Sequence, residues 1–100
     1  MYIYNVTVKI NHFIHHEWVE WMKTKHIPKV LNTNCFFDYK MCKLLEQDEA
    51  DGITYAIQYL CENLEKYQDY QKNFASILQQ EHSEKYKDNF VAFRTLMKII

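Results

Sequence analysis

Glycine, proline and arginine are nearly absent from this chain of 100 residues, which contains one of each. A single glycine is too few for a glycine-rich loop that cradles phosphates, so nucleotide binding is not expected. All but one of the 12 basic residues are lysines, and the formal net charge is −1. Proteins that bind nucleic acids need a basic surface and use arginine for bidentate contacts to phosphate and guanine. We therefore expect no nucleic-acid partner.

Long apolar runs and paired cysteines are missing as well. No apolar stretch reaches the ~18 residues of a membrane-spanning helix, and no segment resembles a signal peptide. Cys35, Cys42 and Cys61 are odd in number and form no C-x-x-C motif. Neither a disulfide framework nor a redox or zinc pair is therefore predicted. These features favour a cytoplasmic protein with reduced thiols, no membrane partner and no cofactor.

The chain does contain a regular order of strands and helices. Residues 1–10 alternate between the two faces of a strand, one of them buried. From about His15 to Leu31 the apolar residues recur with helical spacing, and this helix is expected to bend or restart at Pro28. The Asp51-Gly52 pair predicts a hairpin turn whose glycine supplies a positive φ. The remaining elements are a strand over 35–45, a strand over 53–61, a helix capped by Asn63, and a final strand over 90–99.

This order, β-α-β-β-α-β, predicts a split βαβ or ferredoxin-like domain, an α+β fold that occupies 1–100 as a single unit. Right-handed crossovers then give a four-stranded antiparallel sheet with both helices on one face. In the second helix the residues predicted to pack on the sheet are Leu64, Tyr67, Phe74, Ile77 and Leu78.

The opposite face of the predicted sheet has no helix to cover it. It is too apolar for a free solvent face and too polar for a core, which predicts that a second copy covers it in a homodimer. A simply solvated face, which antiparallel sheets tolerate, is the alternative. Arg94 is expected there either to pair with Asp38 or to bind an anion as part of a ligand site. The residues assigned to this face are Ile3, Asn5, Thr7, Lys9, Asp38, Lys40, Cys42, Thr54, Ala56, Gln58 and Arg94.

Both tryptophans, Trp18 and Trp21, share one side of the first helix with Met22, and His26 lies at the edge of that side. Two interpretations stay open. In one, these rings fill the core and His26 is satisfied by carbonyls freed at the proline bend. In the other, a pocket between helix and sheet binds a small apolar or aromatic molecule, with His26 as acid or base. The expected pocket walls are Tyr4, Trp18, Trp21, Met22, Tyr55 and Tyr59.

The histidines do not predict a metal site. His26 and His82 lie near the C-terminal ends of antiparallel helices, so we expect them to be too far apart to share a metal ion. His12 and His16 are four residues apart, but no cysteine or carboxylate completes a set of ligands around them.

Several stretches resemble a small bacterial domain family of unknown function. They are YIYNVTV, EWVEWMKTKHIPKVL, GITYAIQYL and FVAFRTLM, and the most specific parts are W-x-x-W-M-x-x-x-H-I-P and F-V-A-F-R-T. That family is similar to the dimeric α/β-barrel superfamily, in which two ferredoxin-like protomers join their sheets. The resemblance implies this fold and a homodimer, but no assigned activity.

More distant members of that superfamily include cofactor-independent monooxygenases, haem-degrading enzymes and isomerases, and several share an H-x-P pattern like that of His26 and Pro28. The haem-degrading members rely on an Asn on the first strand, a Trp on the third and a His on the second helix. This chain has Asn5 and His82 but no tryptophan on its third strand, so haem chemistry is not expected. Two hypotheses remain. One is a ligand-binding homodimer, with monooxygenase- or isomerase-like activity if it is an enzyme. The other is a non-catalytic interaction module with a fully packed core.

Overall fold

A computed structural model describes residues 1–100 and has the predicted α+β, ferredoxin-like architecture. The strands are β1 (Tyr2–Asn11), β2 (Asp38–Lys43), β3 (Gly52–Cys61) and β4 (Phe90–Lys98). The helices are α1 (His15–Trp21), α2 (Ile27–Leu31), α3 (Leu64–Asn73) and α4 (Ala75–Lys85), and a π-helical turn, Met22–His26, joins α1 to α2. None of the helices is long and apolar enough to cross a membrane.

The four strands form one sheet in the order β2-β3-β1-β4, and every neighbouring pair is antiparallel. The longest pairing joins β1 to β3 at the centre, where Val8 lies opposite Tyr55 on one side and Ala92 on the other. Residues directly opposite each other in such a sheet point to the same face. The register therefore fixes which side chains of all four strands face the helices.

The core lies between the helices and one face of the sheet. Its sheet side is formed by alternate residues of β1 and β3, which are buried as the sequence pattern predicts. The largest side chain that is fully buried is Trp18 of α1, with no exposed surface. The three cysteines are unpaired, and two of them are buried.

A new helical segment, α2, starts at Ile27, next to Pro28, which is one of the two predicted outcomes. Pro28 lies in the first turn of α2, where its missing N–H group leaves no hydrogen bond unmade. The irregularity comes one turn earlier, where the Ile27 N–H donates to the Met22 carbonyl, five residues back. Because the π turn closes over five residues, Trp21 and His26 lie on the same side of the helix, and their rings stack with centroids 5.2 Å apart.

The second helical segment begins as predicted, since the Asn63 side chain accepts a hydrogen bond from the Lys66 N–H at 2.9 Å. It is interrupted at Phe74, whose φ of −128° lies outside the helical region. The interruption changes the phase of α4 relative to α3. Ile77 is consequently 70% exposed, contrary to the prediction, and Leu64 at the start of α3 is exposed as well. Leu78 is buried as predicted, and Tyr67 and Phe74 are partly buried against the core. The other buried residues of these helices are Tyr70, Ala75 and His82.

β2 is shorter than the predicted strand over 35–45, because Cys35 and Phe36 precede it and turn into the core. Gly52 also differs from the prediction, since no glycine in the chain has a positive φ. It starts β3, where a Cβ atom would lie 2.6 Å from the Ile10 carbonyl oxygen. The glycine is thus required by the close approach of β1 rather than by the turn.

Candidate functional site

A small cavity lies between the helices and the covered face of the sheet. Its volume is about 30 Å³, which is room for roughly one or two water molecules. The strands contribute Tyr4, Val6, Val8, Ile57, Tyr59, Ala92 and Arg94 to its lining, and the helical segments contribute Met22, His26, Val30, Tyr70, Gln79 and His82.

Two histidines from different helical segments meet at this cavity. The ring centroids of His26 and His82 are 5.7 Å apart, so the prediction that these residues lie at opposite ends of the sheet is wrong. His26 is not at the end of its segment, because the helix continues through Pro28 to Leu31. The π turn also rotates His26 towards the C-terminal end of α4, which carries His82.

The second histidine is held by a hydrogen bond from a core tryptophan. The Trp18 Nε1–H group donates to His82 Nε2 at 2.9 Å, and both side chains are buried. An indole N–H can only donate, so Nε2 of this neutral imidazole carries no proton. The proton therefore lies on Nδ1 of His82.

His26 has no hydrogen bond comparable to the one that holds His82. His26 is 9% exposed, and its Nδ1 atom is buried without a hydrogen-bond partner in the chain. The expected bond to a carbonyl freed at the proline bend is absent, because the helix does not open there. A buried polar atom without a partner costs about 1–3 kcal/mol, which makes His26 Nδ1 the least satisfied atom of the cavity wall.

Burial sets the charge of both rings. It lowers the pKa of His26 from 6.5 to about 4; the charge of Glu81 opposes this shift, and the charges of Lys29 and Arg94 add to it. The pKa of His82 is also lowered to about 4, first by burial and then by His26 and Arg94. Both imidazoles are therefore neutral at pH 7.

Arg94 lies on the covered face of the sheet, contrary to its predicted place on the bare face. In the register it is opposite Val6, which points towards the helices. The predicted ion pair with Asp38 is not formed within the chain, since Asp38 is on β2 and Arg94 on β4, at opposite edges of the sheet. The two ion pairs of the chain are Lys29–Glu81 and Lys43–Glu49.

The predicted pocket residues divide into two groups. Tyr4, Met22, Tyr59 and Arg94 line the cavity together with His26. Trp18, Trp21 and Tyr55 do not line it: the rings of Trp18 and Tyr55 pack against each other, with centroids 5.2 Å apart.

Sequence reasoning missed Tyr70, Gln79 and His82 as residues of this cavity. Helical periodicity did place His82 on the apolar side of α4, which was the available signal. The spacing of Tyr70 and Gln79 gave no such signal, because they lie on either side of the interruption at Phe74. No group of three or more His, Cys, Asp or Glu side chains is arranged to hold a metal ion.

Comparison with known proteins gives a family and a fold. The family model described as "Domain of unknown function (DUF4286)" matches residues 1–100. No protein of curated function matches the sequence.

Three solved structures share the architecture over nearly the whole chain. A dimeric ferredoxin-like protein from an uncultured marine organism has a TM-score of 0.71 at 10% identity, covering 100% of this chain and 95% of the other. SnoaB, a cofactor-independent oxygenase from Streptomyces nogalater, has a TM-score of 0.67 at 11% identity, covering 98% and 92%. A monooxygenase from the gene ActVA-Orf6 of Streptomyces coelicolor, in complex with Nanaomycin D, has a TM-score of 0.60 at 12% identity, covering 99% and 88%. At these identities the likeness establishes the fold alone.

Proposed function

This chain belongs to the DUF4286 family of domains of unknown function, and we propose that it is a homodimer that binds a small organic molecule in the cavity between its helices and its sheet. The observation that carries the ligand part is that His26, whose buried Nδ1 has no hydrogen-bond partner, is one of the residues that line the cavity. Folded proteins rarely leave a buried polar atom without a partner unless a ligand, a water or a reaction uses it.

The bare face of the sheet supports the homodimer. Its β4 side carries Val91 and Phe93, which are 68% and 64% exposed. The register sets Phe93 beside Thr7 and, through β1, beside Ala56. A sheet face with large exposed apolar side chains is typical of an interaction surface. In a two-fold dimer the same face of each protomer forms the interface, so Val91 and Phe93 of both protomers would be buried.

The composition of the cavity wall supports an organic ligand. Nine of the 13 lining residues are hydrophobic, and the polar ones include Arg94 at the sheet and Gln79 at the helix. Ligand sites commonly combine apolar walls with a few polar groups that fix orientation. The volume of about 30 Å³ is below that of any aromatic ring, so an aromatic ligand must displace side chains of the cavity wall. Gln79, a half-buried lining residue of α4, is a candidate for such a movement.

Two proteins with the same fold provide a precedent for this kind of ligand. One is described as a cofactor-independent oxygenase and the other was solved in complex with Nanaomycin D. Their likeness to this chain is one of fold, so they support a small-molecule site in this architecture and not a particular reaction.

We assign His26 a role in ligand binding ahead of a role as general base. A general base works best when its pKa is near the working pH, and the pKa of His26 is lowered to about 4. At pH 7 the ring accepts protons poorly, but its free nitrogen is well suited to a hydrogen bond with a ligand. A reaction at this site would need the ligand itself to raise the pKa of His26.

A second candidate function is a non-catalytic interaction module. It is favoured by the complete burial of Trp18 and by the small volume of the cavity. In that case the homodimer, or the bare face of the sheet, is the functional surface and the cavity holds only water.

A panel of small aromatic molecules, including phenols and quinones, tests the ligand proposal through the thermal unfolding midpoint. A molecule that binds only the folded chain raises that midpoint, and the increase grows with the logarithm of its concentration once this exceeds the dissociation constant. We expect at least one member of the panel to do so, and we expect Ala92→Leu to abolish the increase, because Ala92 lines the cavity and a larger side chain there fills it.

The matched control is Ala50→Leu, which makes the same change in the exposed segment between β2 and β3. It should keep the full increase of the midpoint. If a ligand still raises the unfolding midpoint of Ala92→Leu, it binds outside this cavity. If no member of the panel raises the midpoint of the wild-type chain, the interaction module is favoured.

A further inference from the structure

Arg94 is a cation without a partner at the edge of the cavity. It forms no ion pair, and no side-chain hydrogen bond joins it to the rest of the chain. It is also the only arginine in the sequence. A guanidinium group always carries its charge, and its planar fork of N–H donors matches the two oxygens of a carboxylate.

No acidic side chain compensates this charge from the cavity wall. None of the lining residues is Asp or Glu. Glu81 is the acidic residue whose charge reaches His26, but both of its carboxylate oxygens accept hydrogen bonds from Lys29, at 2.9 and 3.1 Å. Arg94 is therefore the only residue of the cavity wall that is charged at pH 7, since both histidines are neutral.

The other polar residues of the wall carry hydrogen-bond donors. His82 has its proton on Nδ1, because its Nε2 accepts from Trp18. The hydroxyl groups of Tyr59 and Tyr70 make no hydrogen bond within the chain, and burial raises the pKa of both, so they keep their protons. One positive charge with three unused donors around it is suited to an anion and unsuited to a cation.

Aromatic rings supply the apolar part of the wall. Tyr4 packs with Tyr59 and Tyr70, with centroids 6.2 and 5.8 Å away, and a planar ligand ring can lie against such a cluster. An ionised carboxylate on that ring would reach Arg94, whose planar fork matches its two oxygens.

Resting on the proposed ligand site, we infer that its ligand is a small aromatic carboxylate, with the carboxylate bound by Arg94 and the ring held against the tyrosines. Arg94 is then the residue that makes the site selective for a negatively charged ligand. His82 contributes the N–H group of its neutral imidazole, whose proton stays on Nδ1 because Nε2 accepts from Trp18.

Benzoate and its uncharged isostere benzamide test the inference, with isothermal titration calorimetry on the full chain up to millimolar concentrations. We expect benzoate to bind the wild-type chain at least tenfold more tightly than benzamide. Arg94→Gln should weaken benzoate binding at least tenfold and leave benzamide binding unchanged. Arg94 is exposed and has no partner, so this variant should fold like the wild type, which circular dichroism can check.

The matched control is Lys98→Gln, which removes one positive charge from the same face of the same strand, outside the cavity. It should bind both probes like the wild type. Equal binding of benzoate and benzamide, or equal benzoate binding by Arg94→Gln and the wild type, would overturn the inference but leave the ligand cavity in place. If neither probe binds, the carboxylate inference fails, and the aromatic panel and Ala92→Leu then decide separately whether the cavity is a ligand site.

Discussion

Replacing Trp18 by alanine is expected to lower the free energy of unfolding by about 3–5 kcal/mol. The side chain has no exposed surface, packs on Tyr55 and donates a hydrogen bond to His82. Its removal leaves a large cavity and an unpartnered imidazole nitrogen. Folded domains have a total stability of only about 5–15 kcal/mol, so this single change removes a large share of it.

Trp18→Phe separates the hydrogen bond from the packing. It keeps most of the ring volume and leaves His82 Nε2 without its donor, which should cost about 1–3 kcal/mol. Urea unfolding followed by circular dichroism measures both variants. Phe13→Ala is the control, since Phe13 is 84% exposed and its loss should change stability by less than about 0.5 kcal/mol. A Trp18→Ala effect as small as that of Phe13→Ala would contradict this description of the core.

Stability is expected to fall as the pH is lowered from 7 to 5. The pKa values of His26 and His82 are lowered from 6.5 to about 4 in the folded chain. Below pH 6.5 the unfolded chain therefore binds protons that the folded chain does not, and each proton bound favours unfolding. At pH 5 the loss should reach roughly 2 kcal/mol for each histidine, and it should increase further down to pH 4.

The midpoint of urea unfolding at pH 7, 6 and 5 measures this loss. His26→Gln and His82→Gln should each remove about half of the pH dependence, because glutamine does not titrate; the new side chain at position 82 can also accept the hydrogen bond of Trp18. His12→Gln should leave it unchanged, since His12 is exposed. A midpoint that stays constant from pH 7 to 5 would mean that the folded chain does not lower the pKa values of these imidazoles.

The fold could be predicted from the sequence because its signals are local. Alternation of side chains in β1 and β3, the Asn63 cap and the helical spacing around Trp18 each depend on near neighbours, and the structure confirms all of them. Gly52 was placed correctly at the end of a turn but for the wrong reason, since the approach of Ile10 is a contact between strands that spacing does not reveal.

The cavity could not be predicted in the same way, because it depends on two irregularities of the helices. The π turn at Met22–His26 and the interruption at Phe74 change which residues face the sheet. Pro28 follows the π turn but does not indicate that this turn closes over five residues, and no proline or glycine marks the interruption. Together the two irregularities bring His26 and His82 within contact. Arg94 was assigned to the wrong face because residues 90–93 of β4 are all apolar and give no alternation to fix its phase.

We propose that a second copy of the chain covers the bare face of the sheet. Sedimentation equilibrium tests this proposal most directly. We expect the wild-type chain to have twice its chain mass of 12.3 kDa. Thr7→Lys sets a charge in the middle of that face, beside Ala56 and Phe93, and should reduce the mass to that of one chain because like charges would then face each other. Thr24→Lys makes the same change at an exposed position of the π turn and should leave the dimer intact. A wild-type mass of 12.3 kDa, or a dimer that survives Thr7→Lys, would contradict the claim.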